Sequence, residues 1–376
     1  MALVLWLCSS AAAAQRPRAA ELAAQAESAS AAGRLADAVA LLEQAERADP
    51  QWAELKVNLA AARSAAGDYA GAASAARAAL ALDPTLDGAR VNLGLALLKG
   101  GDPAGAAKTL APYAARQNAP AVAFAALGLA WMSLDRAADA APVLQRAITA
   151  GVRDPDVLAA AVHAFLSTGN VPGARSACTL LAQAQPDALE THLLTGDVAD
   201  AAQDWTTADR EYRAAIAADG ESALAHYSLG MILFKQRKYD AAAASFERAL
   251  TLSPDLLPAL QYFAMMDLDR GDARHAGTLL GRATRLAPAR ADLWRDLGRA
   301  RLDLQDAPGA LPVLRRAVAL DEQDASAWFL LARALQATGS RQEAQAAFRR
   351  AATLNQQKRD ALLKRVSGIG RSDRDP

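Results

Sequence analysis

Apolar residues recur at three- and four-residue intervals along nearly the whole chain, most clearly between residues 223 and 256. There Tyr227, Leu229, Gly230, Leu233 and Phe234 mark one face of a short helix. Ala242, Phe246, Ala249 and Leu250 mark a face of a second. Residues 236–239 read as the turn between them, and Ser253 followed by Pro254 ends the pair, because proline disfavours helical geometry in the residue before it. Two such helices leave apolar surface uncovered and therefore require neighbours. No segment alternates with the two-residue period of a strand, so the chain is predicted to be all-α.

The pattern repeats every 34 residues, with units starting at Ala19, Ala53, Asp87, Ala121, Pro155, Leu189, Ala223, Leu257, Ala291 and Ala325. Ten units occupy residues 19–358, after a short linker at 15–18. Position 20 of every unit is alanine, from Ala38 and Ala72 to Ala310 and Ala344. Position 8 is glycine or alanine in nine units, with Val162 the exception, and the two columns are expected to face each other across the helix pair. Gly33, Gly67, Gly101, Gly169, Gly271 and Gly339 share the inter-helix position, where glycine permits the left-handed geometry that ends a helix. Asp68, Asp102, Asn170, Asp204, Asp272, Asp306 and Ser340 follow as N-caps of the second helices, and Ser340 with Glu343 has the form of a capping box.

Charge balances at 41 basic and 41 acidic residues, which argues against a chain built mainly to hold nucleic acid or an anionic membrane. Aromatic residues make up only 5%, and the abundance of alanine suits close helix packing. Residues 1–14 form a short apolar run with Ala12, Ala13 and Ala14 as an A-x-A cleavage site, the pattern of a signal peptide. The expectation is export to the bacterial periplasm, with a cytoplasmic location as the alternative. The run is too short for a transmembrane span, and cleavage would leave Cys178 as a lone thiol with neither a disulfide nor a metal set. At the other end, residues 359–366 are expected to form a separate capping helix with Leu362, Leu363 and Val366 on one face, and residues 367–376 a disordered tail.

The 34-residue period with Leu229, Gly230, Phe234, Tyr239, Ala242, Phe246, Ala249 and Pro254 resembles the tetratricopeptide repeat family, and Trp294, Trp328, Leu297, Gly298 and Phe348 fit the same pattern. The first unit, with Gln25 at an apolar position, and the third, with Tyr113 for a small residue and Asn118 for proline, are expected to pack more loosely. Pro142 and Pro312 should bend or delay their second helices.

The resemblance implies an α-solenoid, a right-handed superhelix of helix-turn-helix units whose first helices line a concave groove. Carried onto this sequence, the lining includes Val91, Leu95, Leu98, Leu129, Met132, His163 and Leu166 in the third to fifth units. In the seventh and eighth it includes Tyr227, Met231, Phe234, Tyr262, Met265 and Leu268. A stripe containing methionine and tyrosine suits an amphipathic helix or an extended peptide of a partner protein. Two readings stay open for each residue: contact with a partner, or closure of the contact between adjacent first helices. Arg295, Arg299 and Arg333 form a basic candidate cluster in the last units, either receiving an acidic segment or neutralised by Asp292, Asp296 and Asp303. The family's carboxylate clamp is not reproduced, since no unit has asparagine at its ninth position.

His192 and His226 share the column that holds Trp294 and Trp328, which favours a structural role over a ligand pair, and no nucleophile motif, phosphate loop or metal spacing is present. No enzymatic activity, cofactor or metal is expected. The leading reading is a protein-binding scaffold that supports complex assembly. A small-ligand or glycan receptor and a nucleic-acid-binding helical repeat remain as alternatives, and the sequence leaves the oligomeric state open.

Overall fold

The computed structural model describes residues 16–116 and 119–369. The predicted signal segment, Asn118 and residues 370–376 of the predicted tail lie outside these described residues. Among the described residues the chain forms 20 α-helices and no strand. It divides into two compact parts, Met1–Gln203 and Asp204–Pro376.

In the first part the period's first helices are α1 (Arg16–Ala31), α3 (Ala53–Ala65), α5 (Asp87–Lys99), α7 (Ala121–Met132), α9 (Pro155–Ser167) and α11 (Leu189–Ala201). Between them lie α2 (Leu35–Ala48), α4 (Tyr69–Leu82), α6 (Pro103–Ala114), α8 (Ala137–Thr149) and α10 (Val171–Ala184). The second part opens with α12 (Trp205–Ala218), α13 (Ala223–Lys235), α14 (Tyr239–Leu252) and α15 (Leu257–Arg270). It continues through α16 (Ala273–Leu286), α17 (Ala291–Asp303), α18 (Ala307–Leu320), α19 (Ala325–Ala337) and α20 (Arg341–Ile369). Nine first helices start at the residue where the 34-residue period opens a unit; α1 starts three residues earlier, at Arg16.

The turn between helices is the same at every unit. The fifteenth residue has positive φ in all ten: the six glycines at 75° to 87°, and Asp135, Gln203, Arg237 and Gln305 at 56° to 62°. Glycine adopts this geometry without steric cost, whereas the four side-chain-bearing residues pay roughly 1–2 kcal/mol for it. Six of the following residues cap the second helix. Asp68, Asp102, Asn170, Asp204, Asp272 and Asp306 accept from the backbone N–H three residues on, at 2.8 to 3.1 Å. Glu343, expected in a capping box, instead accepts from Arg315 at 3.0 Å.

All ten alanines of position 20 are buried. Position 8, however, packs against position 24. A methyl added at Gly94, Gly128, Gly230 or Gly298 would run into Leu110, Leu144, Phe246 or Leu314 respectively. The small residue exists because a large side chain on the second helix occupies its space, the interlocking that native packing density requires. Second helices pack onto the next first helix, as α4 on α5 and α16 on α17, and adjacent first helices also touch, as α5 and α7 or α17 and α19 do. In each part the first helices therefore present one continuous face.

Four expectations are corrected. The third unit is not loose at Tyr113: the ring is fully buried, and its hydroxyl donates to Asp87 at 2.8 Å. Burial and that carboxylate push the phenol up to about 12. Gln25 of the first unit, by contrast, is exposed, in keeping with the looser packing expected there. Pro142 and Pro312 do not delay their helices: α8 and α18 start at the same unit position as the other second helices and continue past the prolines. Residues 359–366 are no separate cap: α20 is one 29-residue helix, and Leu363 on it is 57% exposed instead of lying on the last pair. Residues 367–369 of the expected tail are helical as well.

Candidate protein-docking face

In the first part, the face built by α5, α7 and α9 carries Leu95, Leu98, Leu129, Met132 and Leu166, all half-buried against the apolar core that spans these helices. His163 is exposed beside them. Val91 is 6% exposed and belongs to that core, so its short branched side chain closes helix contacts and is removed from the docking face.

In the second part the face changes character from helix to helix. Tyr227, Met231 and Phe234 on α13 and Tyr262 on α15 are half-buried, while Met265 on α15 is 36% exposed. The Tyr227 and Tyr262 rings stand 6.0 Å apart in a tilted pair, and the Tyr227 hydroxyl points at the Met231 sulfur at 3.8 Å. Phe234 packs on Tyr239 at 6.0 Å. Leu268 is 5% exposed and belongs to the interior, a second correction to the lining. Two exposed apolar side chains belong to the face although they were not singled out: Leu224, at 50%, and Phe329, at 49%. Their columns, positions 2 and 5 of the unit, carried the signal.

Helix α17 interrupts the apolar stripe with charge. Arg295 donates to Asp296 at 2.8 Å and to Asp324 at 3.1 Å. Arg299 lies 3.6 Å from Asp269 and 3.8 Å from Asp303. Burial works against the charge on Arg295, yet Asp296 and Asp324 more than offset it and hold the guanidinium protonated. Burial pushes the Asp296 carboxyl up, opposed by Arg295. Asp292, expected beside Arg295, instead pairs with Arg290 and accepts from Gln261 at 3.1 Å. Two of the three arginines are thus neutralised within the face, and Arg333 is exposed. An open cleft of about 610 Å³ lies here, bounded by Arg295, Arg299, Phe329, Leu330 and Asn355.

In the column shared by His226, Trp294 and Trp328 the ring nitrogen meets a backbone carbonyl just before its own helix. The indole N–H groups of Trp294 and Trp328 donate to the carbonyls of Pro288 and Glu322, each at 3.0 Å. His226 places its Nε2 at 3.2 Å from the carbonyl of Gly220, the same position relative to its helix. His275 lies elsewhere, with Nδ1 at 2.7 Å from the buried Asp267 and its ring edge-on to Phe263. Burial raises the Asp267 carboxyl, and His275 opposes that rise. Among the described residues no cluster has the makings of a metal site, and no helix is long and apolar enough to cross a membrane.

The tetratricopeptide repeat family matches residues 23–87 and 193–256, 63–128, 291–334 and 325–358. No curated protein matches the chain. Among solved structures, MamA from Desulfovibrio magneticus RS-1 is 18% identical with a TM-score of 0.43, covering 45% of this chain and 96% of that one. PilF of Pseudomonas aeruginosa is 19% identical with a TM-score of 0.47, covering 51% of this chain and 88% of that one. The Cut9–Hcn1 hetero-tetramer of the APC/C is similar over 90% of this chain and 87% of that one, at 15% identity and a TM-score of 0.44. Matches to one family over more than half of the sequence, at the period its helices obey, mean that the chain belongs to the tetratricopeptide repeat family.

Proposed function

We propose that the chain is a protein-interaction scaffold that holds a helical or extended segment of a partner protein on its first-helix face and thereby supports assembly of a complex. Membership of the tetratricopeptide repeat family supports the scaffold role. The observation that carries the docking face is the surface of α13 and α15, where Leu224 and Met265 stand exposed beside the paired rings of Tyr227 and Tyr262. Apolar surface of this kind, with a flexible thioether next to rigid aromatic rings, marks interaction sites on soluble proteins.

Affinity capture from cell extract tests the reading, comparing the wild-type chain with Tyr227→Ala/Met265→Ala. The expected result is a protein band that survives nuclease and high salt with the wild type and weakens about tenfold or more with the double variant, while helicity is unchanged. Full capture by the double variant would move the site off this face. Loss of the band with nuclease would replace the protein partner by a nucleic acid. Export, read from residues 1–14, belongs to the same proposal, and N-terminal sequencing of envelope-derived protein tests it by looking for cleavage after Ala14.

A further inference from the structure

A second recess lies away from the first-helix face, where α4, α5 and α6 meet on the side of the second helices. It is an open cleft of about 650 Å³ whose floor includes Leu80, Leu93 and Leu97. Three cations stand around that floor, one from each helix: Arg77, Arg90 and Lys108. Arg77 and Lys108 are exposed. Arg90 is half-buried and is steadied by donating to the carbonyl of Pro84 at 2.8 Å. Among the described residues none of the three cations is in an ion pair. Asp102, on the rim, accepts from the backbone of Gly105 as the cap of α6. Asp87, whose charge Arg90 feels, is held by the Tyr113 hydroxyl and by Arg116.

The repeat supplies its own controls. Four periods further on, the same columns build a recess of about 460 Å³ from Arg213, Ile216, His226, Leu229 and Ala244. There Arg213 is paired with Asp209 at 3.1 Å, His226 faces the carbonyl of Gly220, and alanine stands in place of Lys108, while a single arginine, Arg248, borders the recess in the column of Pro112. One period earlier the columns hold Glu43, Lys56 and Ser74, with Glu43 paired to Arg63 and Lys56 to Glu46. One period later they hold Ala111, Phe124 and Pro142. The apolar floor is shared by these two recesses, with Ile216 and Leu229 in the places of Leu80 and Leu93, whereas one period earlier Glu46 and Arg63 replace Leu80 and Leu97. Three cations outside ion pairs around such a floor belong to this junction.

We propose that the cleft between α4, α5 and α6 is a second docking site, for an acidic protein segment that sets an apolar side chain on the floor and flanking carboxylates against Arg77, Arg90 and Lys108. Arginine and lysine donate charge-assisted hydrogen bonds to carboxylates, and Arg clusters read acidic motifs on this principle. The leucine floor selects a peptide over a bare polyanion, since phosphate groups leave apolar surface wet. Because Arg77 and Lys108 are exposed, the attraction is screened by salt.

Fluorescence anisotropy tests the proposal with a labelled synthetic peptide carrying one leucine among four glutamates, and with its glutamine counterpart. The wild-type chain should bind the glutamate peptide and not the glutamine one. Charge reversal by Arg77→Glu/Lys108→Glu should weaken binding about tenfold or more. Arg77→Gln/Lys108→Gln, with an unchanged melting temperature, serves where reversal disturbs folding. The Tyr227→Ala/Met265→Ala variant should bind this peptide as the wild type does, which separates the cleft from the first-helix face. No binding by the wild type, or equal binding by both charge variants, overturns the proposal. So does equal affinity for a glutamate peptide without leucine, or displacement by a single-stranded oligonucleotide at lower concentration than by the unlabelled peptide, since either reveals a general anion surface.

Discussion

The fifth and seventh repeats solve one packing problem in opposite ways. In the seventh, glycine at position 8 leaves room for Phe246 at position 24, and Ala249 follows one turn later. In the fifth, Val162 fills position 8, Cys178 takes position 24, and the volume moves one turn along α10 to Leu181. All of these side chains are buried, so both repeats are filled. The turns differ in the reverse sense. The fifth repeat has Gly169 at φ 75° and an Asn170 cap on Gly173, whereas the seventh holds Arg237 at φ 60° and Lys238 makes no side-chain cap. One repeat is favoured by its backbone chemistry and the other by its aromatic core, which touches Phe263 and Tyr227 besides. Equal helical geometry therefore conceals unequal sources of stability.

Removing the volume should break the comparison most sharply. Phe246→Ala is expected to cost about 3–5 kcal/mol, as large-to-small changes in a filled core do. Cys178→Ala should cost far less, and denaturant titration of the two variants gives the contrast directly. Adding volume comes next. A Cβ on Gly230 would sit 2.8 Å from the Phe246 ring, so Gly230→Val should cost about 1–3 kcal/mol. The double variant Gly230→Val/Phe246→Cys imports the fifth repeat's solution, and its cost should fall below the sum of the single costs. Strict additivity in that cycle would mean that the two positions do not share one space.

The turn effects are smaller. Asn170→Ala should destabilise by about 1 kcal/mol through loss of its cap, and Lys238→Asp should stabilise by a similar amount by creating one. A melting temperature unmoved by Lys238→Asp would show that the seventh repeat's turn is already satisfied. The smallest readout is chemical. Burial pushes the Cys178 thiol up to about 11, so the native protein in a Cys8→Ser background should resist Ellman's reagent at pH 8 and react once unfolded. Its folded pKa lies above the ordinary thiol value, so the thiolate costs stability as pH rises toward that range, and folding should weaken there, not in acid.

Helix positions were readable in the sequence because glycine and a capping residue recur at a fixed spacing, and those two types advertise a left-handed turn and an N-cap. Asp135, Gln203, Arg237 and Gln305 advertise nothing of the kind, and only the period places them in the same geometry. The pairing of position 8 with position 24 was not readable. Alanine at position 20 is also small and recurs in every unit, and which column meets which depends on how the two helices cross. The docking face was legible by column but not by residue. Exposure is decided by neighbours, which bury Val91 and Leu268 and leave Leu224 and Phe329 in solvent. The cationic cleft was hidden for a related reason: Arg77, Arg90 and Lys108 come from three helices in two successive repeats, and no linear motif joins them.

The contact between positions 8 and 24 also bears on how such an array can be rearranged. Both partners sit inside one repeat, so a recombination event that exchanges whole repeats carries the glycine and its aromatic partner together. A crossover in the inter-helix turn separates them. Joining the first helix of the fifth repeat to the second helix of the seventh would set Val162 against Phe246, whereas the reciprocal joint would leave Gly230 beside Cys178 with a void. Shuffling that respects the boundary between repeats keeps this pair together and tests only the contacts from each second helix to the next first helix, such as Phe246 on Phe263, whereas a cut in the turn, although the most uniform element of the chain, breaks the pair itself.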